Sequence, residues 1–230
     1  MCGLERGDHS ASGLFIECGG DMVSHSLPVT PSTPAEWLGP LPVRDWFAHP
    51  SRPLEVDLGC GKGRFLLAHA ANHPEVNLVG IDRMLRRIRK VDNRARRAGL
   101  DNIRLLRMEG YYAVAHLLPA SAVRTCYIFF PDPWPKARHE GHRLFNPVFL
   151  DALWRVLEPG GGVHVATDHG PYFEQVSAVL TGDPRFEPVE PFVPPEDEQT
   201  DFERYYAGQK PIGRVSVRRA ESFTSQAGMQ

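Results

Sequence analysis

Residues 56–63 read V-D-L-G-C-G-K-G, an apolar strand that runs into glycines at positions 59, 61 and 63. Because glycine has no side chain, the backbone can turn tightly there and a ligand can approach it closely. Ligands of open parallel sheets bind at the carboxyl ends of the strands, where this turn is expected. The motif predicts a ligand-binding turn between the first strand and first helix of an α/β domain; a turn that only closes the βα unit is the alternative.

The glycine spacing separates three kinds of loop. A dinucleotide-binding loop, G-x-G-x-x-G, needs a third glycine where this chain has Arg64. A phosphate-binding P-loop needs Ser or Thr after its lysine, and here Lys62 is followed by Gly63. An acid two residues before G-x-G-x-G, here Asp57, resembles the first motif of S-adenosylmethionine-dependent methyltransferases.

Strand-like and helix-like segments alternate after Pro53. The predicted strands are Leu54–Leu58, Val76–Ile81, Asn102–Arg107, Thr125–Phe130 and Val163–Ala166, with a terminal strand at Val215–Val217. The predicted helices are Arg64–Asn72, Arg83–Ala98, Tyr111–Leu118 and Pro147–Leu157, the last stopped by Pro159-Gly-Gly-Gly. This alternation predicts an α/β fold with a mostly parallel sheet covered by helices on both faces.

Composition sets the domain limits and excludes several classes. Residues 1–50 contain six Gly and six Pro and predict a mobile N-terminal arm, whereas residues 51–230 predict a single domain with a Pro-rich, acidic loop at 183–200. No apolar run is long enough to cross a membrane, and no secretory signal is visible. The four cysteines form no C-x-x-C pair, so we expect no disulfide scaffold and a cytoplasmic protein.

Positive charge is concentrated in one predicted helix. Residues 83–97 carry eight basic side chains and one acid in a chain whose net charge is only −2. One-sided charge of this kind favours contact with a polyanion backbone, and a solvated helix face is the alternative.

Three acids follow three successive strands. Asp57 lies in the first strand, Asp82 ends the second in V-G-I-D, and Glu109 follows the third in R-M-E-G. Each one alone is typical of a loop or a helix cap. Together, at one edge of a parallel sheet, they predict an adenosine pocket in which Asp82 binds the ribose hydroxyls and Glu109 the adenine amino group.

Residues 129–139 read F-F-P-D-P-W-P-K-A-R-H, directly after the fourth strand. Prolines on both sides of Asp132 and Trp134 stiffen this loop, so a rigid carboxylate lies beside an indole that can stack on a base. The segment resembles the signature of the tRNA (guanine-N7-)-methyltransferase family. V-A-T-D at 165–168 and T-D-F-E at 200–203 resemble two further motifs of the same family.

The resemblance implies a Rossmann-like class I methyltransferase fold with a seven-stranded sheet. It also implies methyl transfer from S-adenosylmethionine to guanine N7 in the variable loop of tRNA, with S-adenosylhomocysteine as by-product and no metal. Asp132 would be catalytic. The implied cofactor-binding residues are Asp57, Gly59, Gly61, Gly63, Asp82, Glu109 and Asp132, and the implied tRNA-binding residues are Lys136, Asp168, Thr200, Phe202 and Glu203. The family usually has Glu at the first two acidic positions and Asp at the third, so Asp57, Asp82 and Glu109 depart from it by one methylene each.

Two other functions remain open. An amino-group methyltransferase has an Asn/Asp-Pro-Pro-aromatic loop in the same place, but Asp132-Pro133-Trp134 lacks the second consecutive proline. A non-catalytic tRNA-binding subunit is the other. His139, Glu140 and His142 have H-E-x-H spacing, which does not put two histidines on one helix face, so we expect no metal site there. The histidines outside that segment at 69, 73, 116, 164 and 169 are expected to be ordinary surface or packing residues.

Overall fold

A computed structural model describes residues 38–134 and 143–221. The strands are β1 (Leu54–Leu58), β2 (Asn77–Ile81), β3 (Ile103–Leu106), β4 (Val123–Phe129), β5 (Leu157–Thr167), β6 (Phe186–Val189) and β7 (Gly213–Arg219). The helices are α1 (Arg64–Asn72), α2 (Leu85–Arg97), α3 (Gly110–Tyr112), α4 (Pro147–Val156), α5 (Gly170–Gly182) and α6 (Asp201–Tyr205). A 3-10 turn covers Val43–Trp46, and a π-helical turn, Ala113–Leu117, continues α3.

All seven strands form one sheet in the order β3-β2-β1-β4-β5-β7-β6. The first five strands run parallel to one another, whereas β7 is antiparallel to both β5 and β6. Every residue of β1 and β2 is buried, as expected for central strands covered on both faces. The predicted Rossmann-like, seven-stranded α/β fold is confirmed.

Two hydrophobic clusters lie on opposite faces of the sheet. Leu78 packs with Leu66 of α1 and Val91 of α2 in one cluster. Its neighbour Val79 belongs to the other, with Phe149 of α4 and Val176 of α5. Adjacent strand residues point to opposite faces, so this division shows that helices cover both sides.

The fifth strand begins earlier than predicted. It starts at Leu157, directly after α4, and not at Val163. Leu157 pairs with Val123 and Gly162 pairs with Thr125, so the intervening residues 158–161 (Glu-Pro-Gly-Gly) form an irregularity inside the strand. The helix thus ends within one residue of the predicted position, but the glycines lie inside the strand and do not stop the helix.

Three elements of the carboxyl-terminal half were not predicted: helices α5 and α6, and strand β6. Helix α5 follows β5, and strand β6 lies inside segment 183–200, which was predicted to be a loop throughout. Pro188 pairs with Val217 at the edge of the sheet, where a residue without an N–H group is tolerated. The tertiary partner β7, which the local sequence does not reveal, makes this proline-containing segment a strand.

The domain begins before residue 50. Leu41, Val43 and Phe47 are buried in the core, and the Leu41 N–H donates to the carbonyl of Leu117 at 2.7 Å. The predicted arm therefore extends too far, because its last part packs as domain; residues 1–37 lie outside the described residues. Among the described residues, no helix is both long and apolar enough to span a bilayer.

Candidate active site

A cleft with a volume of about 780 Å³ opens at the carboxyl ends of the central strands. Leu58 of β1, Ile81 of β2 and Ile128 of β4 form its apolar floor. The chain order reverses between β1 and β4, and α/β sheets bind ligands at such a switch point. The sheet topology thus brings the ends of several motif-bearing strands to one cleft.

The glycine turn contributes one residue to the cleft. Gly59 lines it, whereas Gly61 and Gly63 do not. Gly63 has a φ of 71°, and a Cβ atom there would lie 2.6 Å from Val91 of α2. A side chain at position 63 would therefore separate the turn from α2, so this glycine shapes the turn and does not line the cleft.

Asp82 is buried at the end of β2 and lines the cleft. Its carboxylate accepts hydrogen bonds from the N–H of Gly61 at 3.1 Å and from the N–H of Met84 at 2.7 Å, and Arg87 lies 3.3 Å away. These contacts fix its orientation and tie the glycine turn to the second strand. Each carboxylate oxygen has further lone pairs for a ligand.

Glu109 lines the cleft and also caps α3. Its two oxygens accept hydrogen bonds from the N–H groups of Tyr111 at 3.0 Å and Tyr112 at 2.9 Å. The residue is exposed, so its carboxylate is held at a fixed place while it faces solvent. The two readings of the sequence, helix cap and cleft acid, are both correct for this residue.

Asp57 lies elsewhere than the other predicted cofactor residues. It is 4% exposed and does not line the cleft. Burial raises its pKa to about 7, against a smaller opposing effect of His69. Within the described part of the chain its carboxylate receives no hydrogen bond, so a negative charge there lacks a close partner.

The segment around Asp132 enters the cleft from β4. Phe130, Asp132 and Trp134 all line it, and Asp132 is exposed. Phe130 has a φ of 53° and Trp134 a φ of 44°, in the left-handed region that costs a non-glycine residue of order 1–3 kcal/mol. Such strain is common at functional sites. The predicted tRNA contact Lys136 lies outside the described residues.

The remaining predicted tRNA contacts lie around α6. The ring of Phe202 packs against that of Phe130, with centroids 4.3 Å apart, which connects α6 to the Asp132 segment. Thr200 and Glu203 form a reciprocal capping box at the start of α6, and Glu203 is also ion-paired with Arg214. Both carboxylate oxygens of Glu203 thus have protein partners.

Asp168 lies just after β5 and is paired with Lys210 at 3.0 Å. Lys210 also lies over the ring of Tyr206, 4.3 Å from its centroid. This pair is partly exposed and lies at the edge of the sheet where the parallel strands have their carboxyl ends.

Three arginines also line the cleft. They are Arg83, Arg87 and Arg143. Arg143 donates to the carbonyl of Pro133 at 3.1 Å and so helps to hold the Asp132 segment. The concentration of basic residues at 83–97 indicated a positively charged surface that includes Arg83 and Arg87. Only the fold shows that these two arginines reach the cleft.

Residues 51–205 match the family model Methyltransf_4, described as "Putative methyltransferase". The tRNA (guanine-N(7)-)-methyltransferase of Halorhodospira halophila is 41% identical over 157 residues, which cover 66% of this chain and 68% of that protein. This chain belongs to the tRNA (guanine-N7-)-methyltransferase family. The namesake from Nocardia farcinica is also 41% identical, over 63% of this chain and 54% of its own length. The chain therefore spans about half to two thirds of the length of these relatives.

Solved structures support the methyltransferase fold. The 16S rRNA methyltransferase KamB superposes with a TM-score of 0.57 at 17% identity, over 77% of this chain and 91% of that one. The antibiotic-resistance methyltransferase Kmr gives 0.53 at 20% identity, over 74% and 88%. At these identities the likeness concerns the fold of this tRNA (guanine-N7-)-methyltransferase family member and nothing more.

Proposed function

We propose that this chain transfers the methyl group of S-adenosylmethionine to N7 of a guanine in the variable loop of tRNA. The observation that carries the proposal is that Asp132 shares one cleft with Gly59, Asp82 and Glu109. The family's signature motif, which contains Asp132, thus lies in the same cleft as the glycine turn and the two acids expected to bind a nucleoside. The names of the relatives supply the substrate.

The cleft suits an adenosine-containing methyl donor. Its volume of about 780 Å³ is in the range of small-molecule sites, and Ile81, Met108 and Ile128 give it apolar walls. Asp82 is positioned to accept hydrogen bonds from ribose hydroxyls, and Glu109 from an adenine amino group. When bound, the donor would supply an electrophilic methyl group on a positively charged sulfur.

Guanine N7 requires little activation. Its lone pair is exposed on the major-groove edge, so no strong general base is needed to start the reaction. The protein must hold the nucleophile in line at near-attack distance. Asp132, on its strained and proline-flanked segment, is placed at the cleft to stabilise the positive charge that develops on the purine.

Base and backbone contacts are assigned to different residues. The indole of Trp134 lies in the cleft beside Asp132 and can stack on the base. Arg83, Arg87 and Arg143 line the cleft and can contact phosphates. We retain Lys136 as a tRNA contact on the family motif alone.

The residues around α6 have a different proposed role. Thr200 and Glu203 bond to each other, so they position α6 and do not contact RNA directly. Phe202 packs against Phe130 and so supports the segment that carries Asp132. Asp168 is paired with the exposed Lys210, and it is the residue of this group that we assign to contact with tRNA.

The test is product mapping. Purified full-length chain is incubated with methyl-labelled S-adenosylmethionine and unmodified tRNA, and the digested nucleosides are separated. We expect label in 7-methylguanosine only, and none with a tRNA whose variable-loop guanine is replaced by adenine. Label in an N-methylated adenosine or guanosine would favour an amino-group methyltransferase, and no transfer by the purified chain would favour a non-catalytic subunit; either result contradicts the proposal.

A further inference from the structure

Histidine and glutamate side chains form a second cluster beside α1, and none of its members lines the cleft. His69 is buried between two carboxylates: its Nε2 lies 3.0 Å from Oε2 of Glu55, and its Nδ1 lies 2.7 Å from Oε2 of Glu198. The sequence predicted an ordinary surface or packing residue here. His69 is buried, as a packing residue would be, but the fold also brings Glu198, 129 positions away, onto its imidazole.

His73 completes the cluster one helical turn later. It lies four residues after His69, and the two rings are 4.3 Å apart. Its Nε2 lies 3.5 Å from the second oxygen of Glu198. Donor atoms from His69, His73 and Glu198 all lie within 4.8 Å of one another.

We propose that His69, His73 and Glu198 bind a divalent transition-metal ion such as Zn²⁺. Two imidazoles and one carboxylate form a donor set that zinc accepts, with a fourth position left for water. His69 is in α1 and His73 is the residue directly after it, whose N–H still donates to the His69 carbonyl at 2.9 Å, so the pair keeps the i, i+4 spacing of helical zinc ligands. The side chain of Glu198 is 1% exposed and that of His73 is 40% exposed, so the site is anchored inside and open to solvent.

Neighbouring side chains hold the proposed ligands in place. Glu55 accepts the Nε2–H of His69, which leaves Nδ1 for the metal, and Arg124 and Tyr127 fix Glu55 in turn at 2.6 and 3.1 Å. Asn72 donates to Glu198 at 2.8 Å. Metal-bound histidines characteristically donate their other N–H to a carboxylate in this way.

The distances require a small adjustment. Tetrahedral zinc bonds of about 2.0–2.2 Å put ligand atoms roughly 3.3–3.5 Å apart. His73 Nε2 is already 3.5 Å from Oε1 of Glu198, whereas His69 Nδ1 lies 2.7 Å from the other oxygen, Oε2, and must move away from it when the ion binds. The short distance is that of a proton shared between Nδ1 and the carboxylate. The metal takes the place of that proton, which is released to solvent, and Nδ1 donates its lone pair to the ion.

The ion would join two distant parts of the domain. Helix α1 begins at the glycine turn, and Glu198 lies three residues before the first residue of α6. Arg64 of α1 also donates to the carbonyl of Gln199 at 3.0 Å, so the segment already lies along the helix. A metal here fastens segment 197–199 to α1 and stabilises the fold without a part in methyl transfer.

The experiment measures metal binding by the full-length protein after treatment with a chelator. Co²⁺ is titrated first, because its visible spectrum reports tetrahedral coordination, and Zn²⁺ is then used to displace it. We expect one equivalent bound. His73→Ala should weaken binding at least about 10-fold, and Glu198→Gln by a similar factor. His49→Ala is the matched control, since His49 is exposed and outside the cluster.

Two further measurements separate the site from other causes. His139→Ala combined with His142→Ala should leave binding unchanged; loss of binding there would place the metal on the H-E-x-H segment and overturn the proposal. Zn²⁺ should raise the Tm of the native protein but not that of His73→Ala, which keeps the Glu55–His69–Glu198 contacts. No tetrahedral Co²⁺ spectrum and no Zn²⁺-dependent change in Tm would mean that the cluster holds only a proton. Neither readout depends on methyl transfer, so the metal proposal can fail while the proposed function stands.

Discussion

Glu55 and Asp57 lie two residues apart on β1, point to the same face of the sheet and are both buried, yet their pKa values shift in opposite directions. For Glu55, burial alone would raise the pKa, but hydrogen bonds from His69 and Arg124 outweigh it and lower the value to about 2. For Asp57, burial is not offset by a hydrogen bond, and its pKa rises to about 7. Both carboxyl groups are buried, so the difference between their pKa values comes from the hydrogen-bond donors that only Glu55 has.

The same division applies to several other acids of the domain, although Asp82 and Glu109 are both hydrogen-bonded and at the cleft. Glu55, Glu198 and Glu203 have their carboxylates engaged by positive groups or N–H donors and hold segments together. Asp57 and Asp132 have no hydrogen-bond partner among the described residues, and both lie in motifs near the cleft. Groups left without a partner are candidates for function because the fold does not need their charge.

The largest expected effect follows from removing a partnered acid. Glu55→Gln removes the counter-charge of Arg124 and one of the two carboxylates that hold His69, so the free energy of unfolding should fall by about 3–5 kcal/mol. Urea unfolding at neutral pH measures it. Glu187→Gln is the control, because Glu187 pairs with Arg218 at the surface and should cost less than about 1 kcal/mol. Equal losses in the two variants would show that the buried network has no special weight.

Removing an acid without a partner should affect activity instead. Asp132→Asn should lower turnover about 100-fold, because the charge that develops on the purine loses its stabilising carboxylate. The free energy of unfolding should stay within about 0.5 kcal/mol of native, and S-adenosylhomocysteine affinity should fall less than turnover. Asp101→Asn, at an exposed position before β3, is the matched control. Near-normal turnover of Asp132→Asn would refute the catalytic assignment.

Asp57→Asn should stabilise the ligand-free protein at high pH. Because the pKa of Asp57 is raised to about 7 in the folded state, native stability is highest when the group is protonated and declines as pH rises through that value. Relative to native, the variant's free energy of unfolding should increase by about 2–3 kcal/mol between pH 5 and pH 8. Denaturant titrations at both pH values measure it. A difference that does not change with pH would show that Asp57 is compensated after all.

The smallest effect concerns charge on the outside of the domain. If the exposed face of α2 contacts tRNA, Arg86→Glu with Arg94→Glu should reduce the slope of log affinity against log salt by about 0.7–0.9 for each lost phosphate contact. Arg52→Glu with Arg218→Glu is the charge-matched control, because Arg52 precedes β1 at the opposite end of that strand from the glycine turn. Unchanged affinity and slope in the α2 variant would leave that face as solvated surface.

Local pattern was enough to predict most of what builds the cleft. Apolar strands, the glycine turn and the acids that follow β2 and β3 are features of a few consecutive residues, and a parallel sheet brings them to one edge. The environment of Asp57 could not be predicted, because it depends on the absence of a partner. The Glu55–His69–Glu198 contacts and the pairing of β6 with β7 depend on residues far apart in the chain, which no local pattern reveals.

A crystal structure with S-adenosylhomocysteine tests the central claim most directly, that the acids around Gly59 form the donor site beside Asp132. We predict that the by-product lies against Gly59, with its ribose at Asp82, its adenine near Glu109 and its sulfur facing Asp132. Binding of S-adenosylhomocysteine away from the glycine turn would contradict the account.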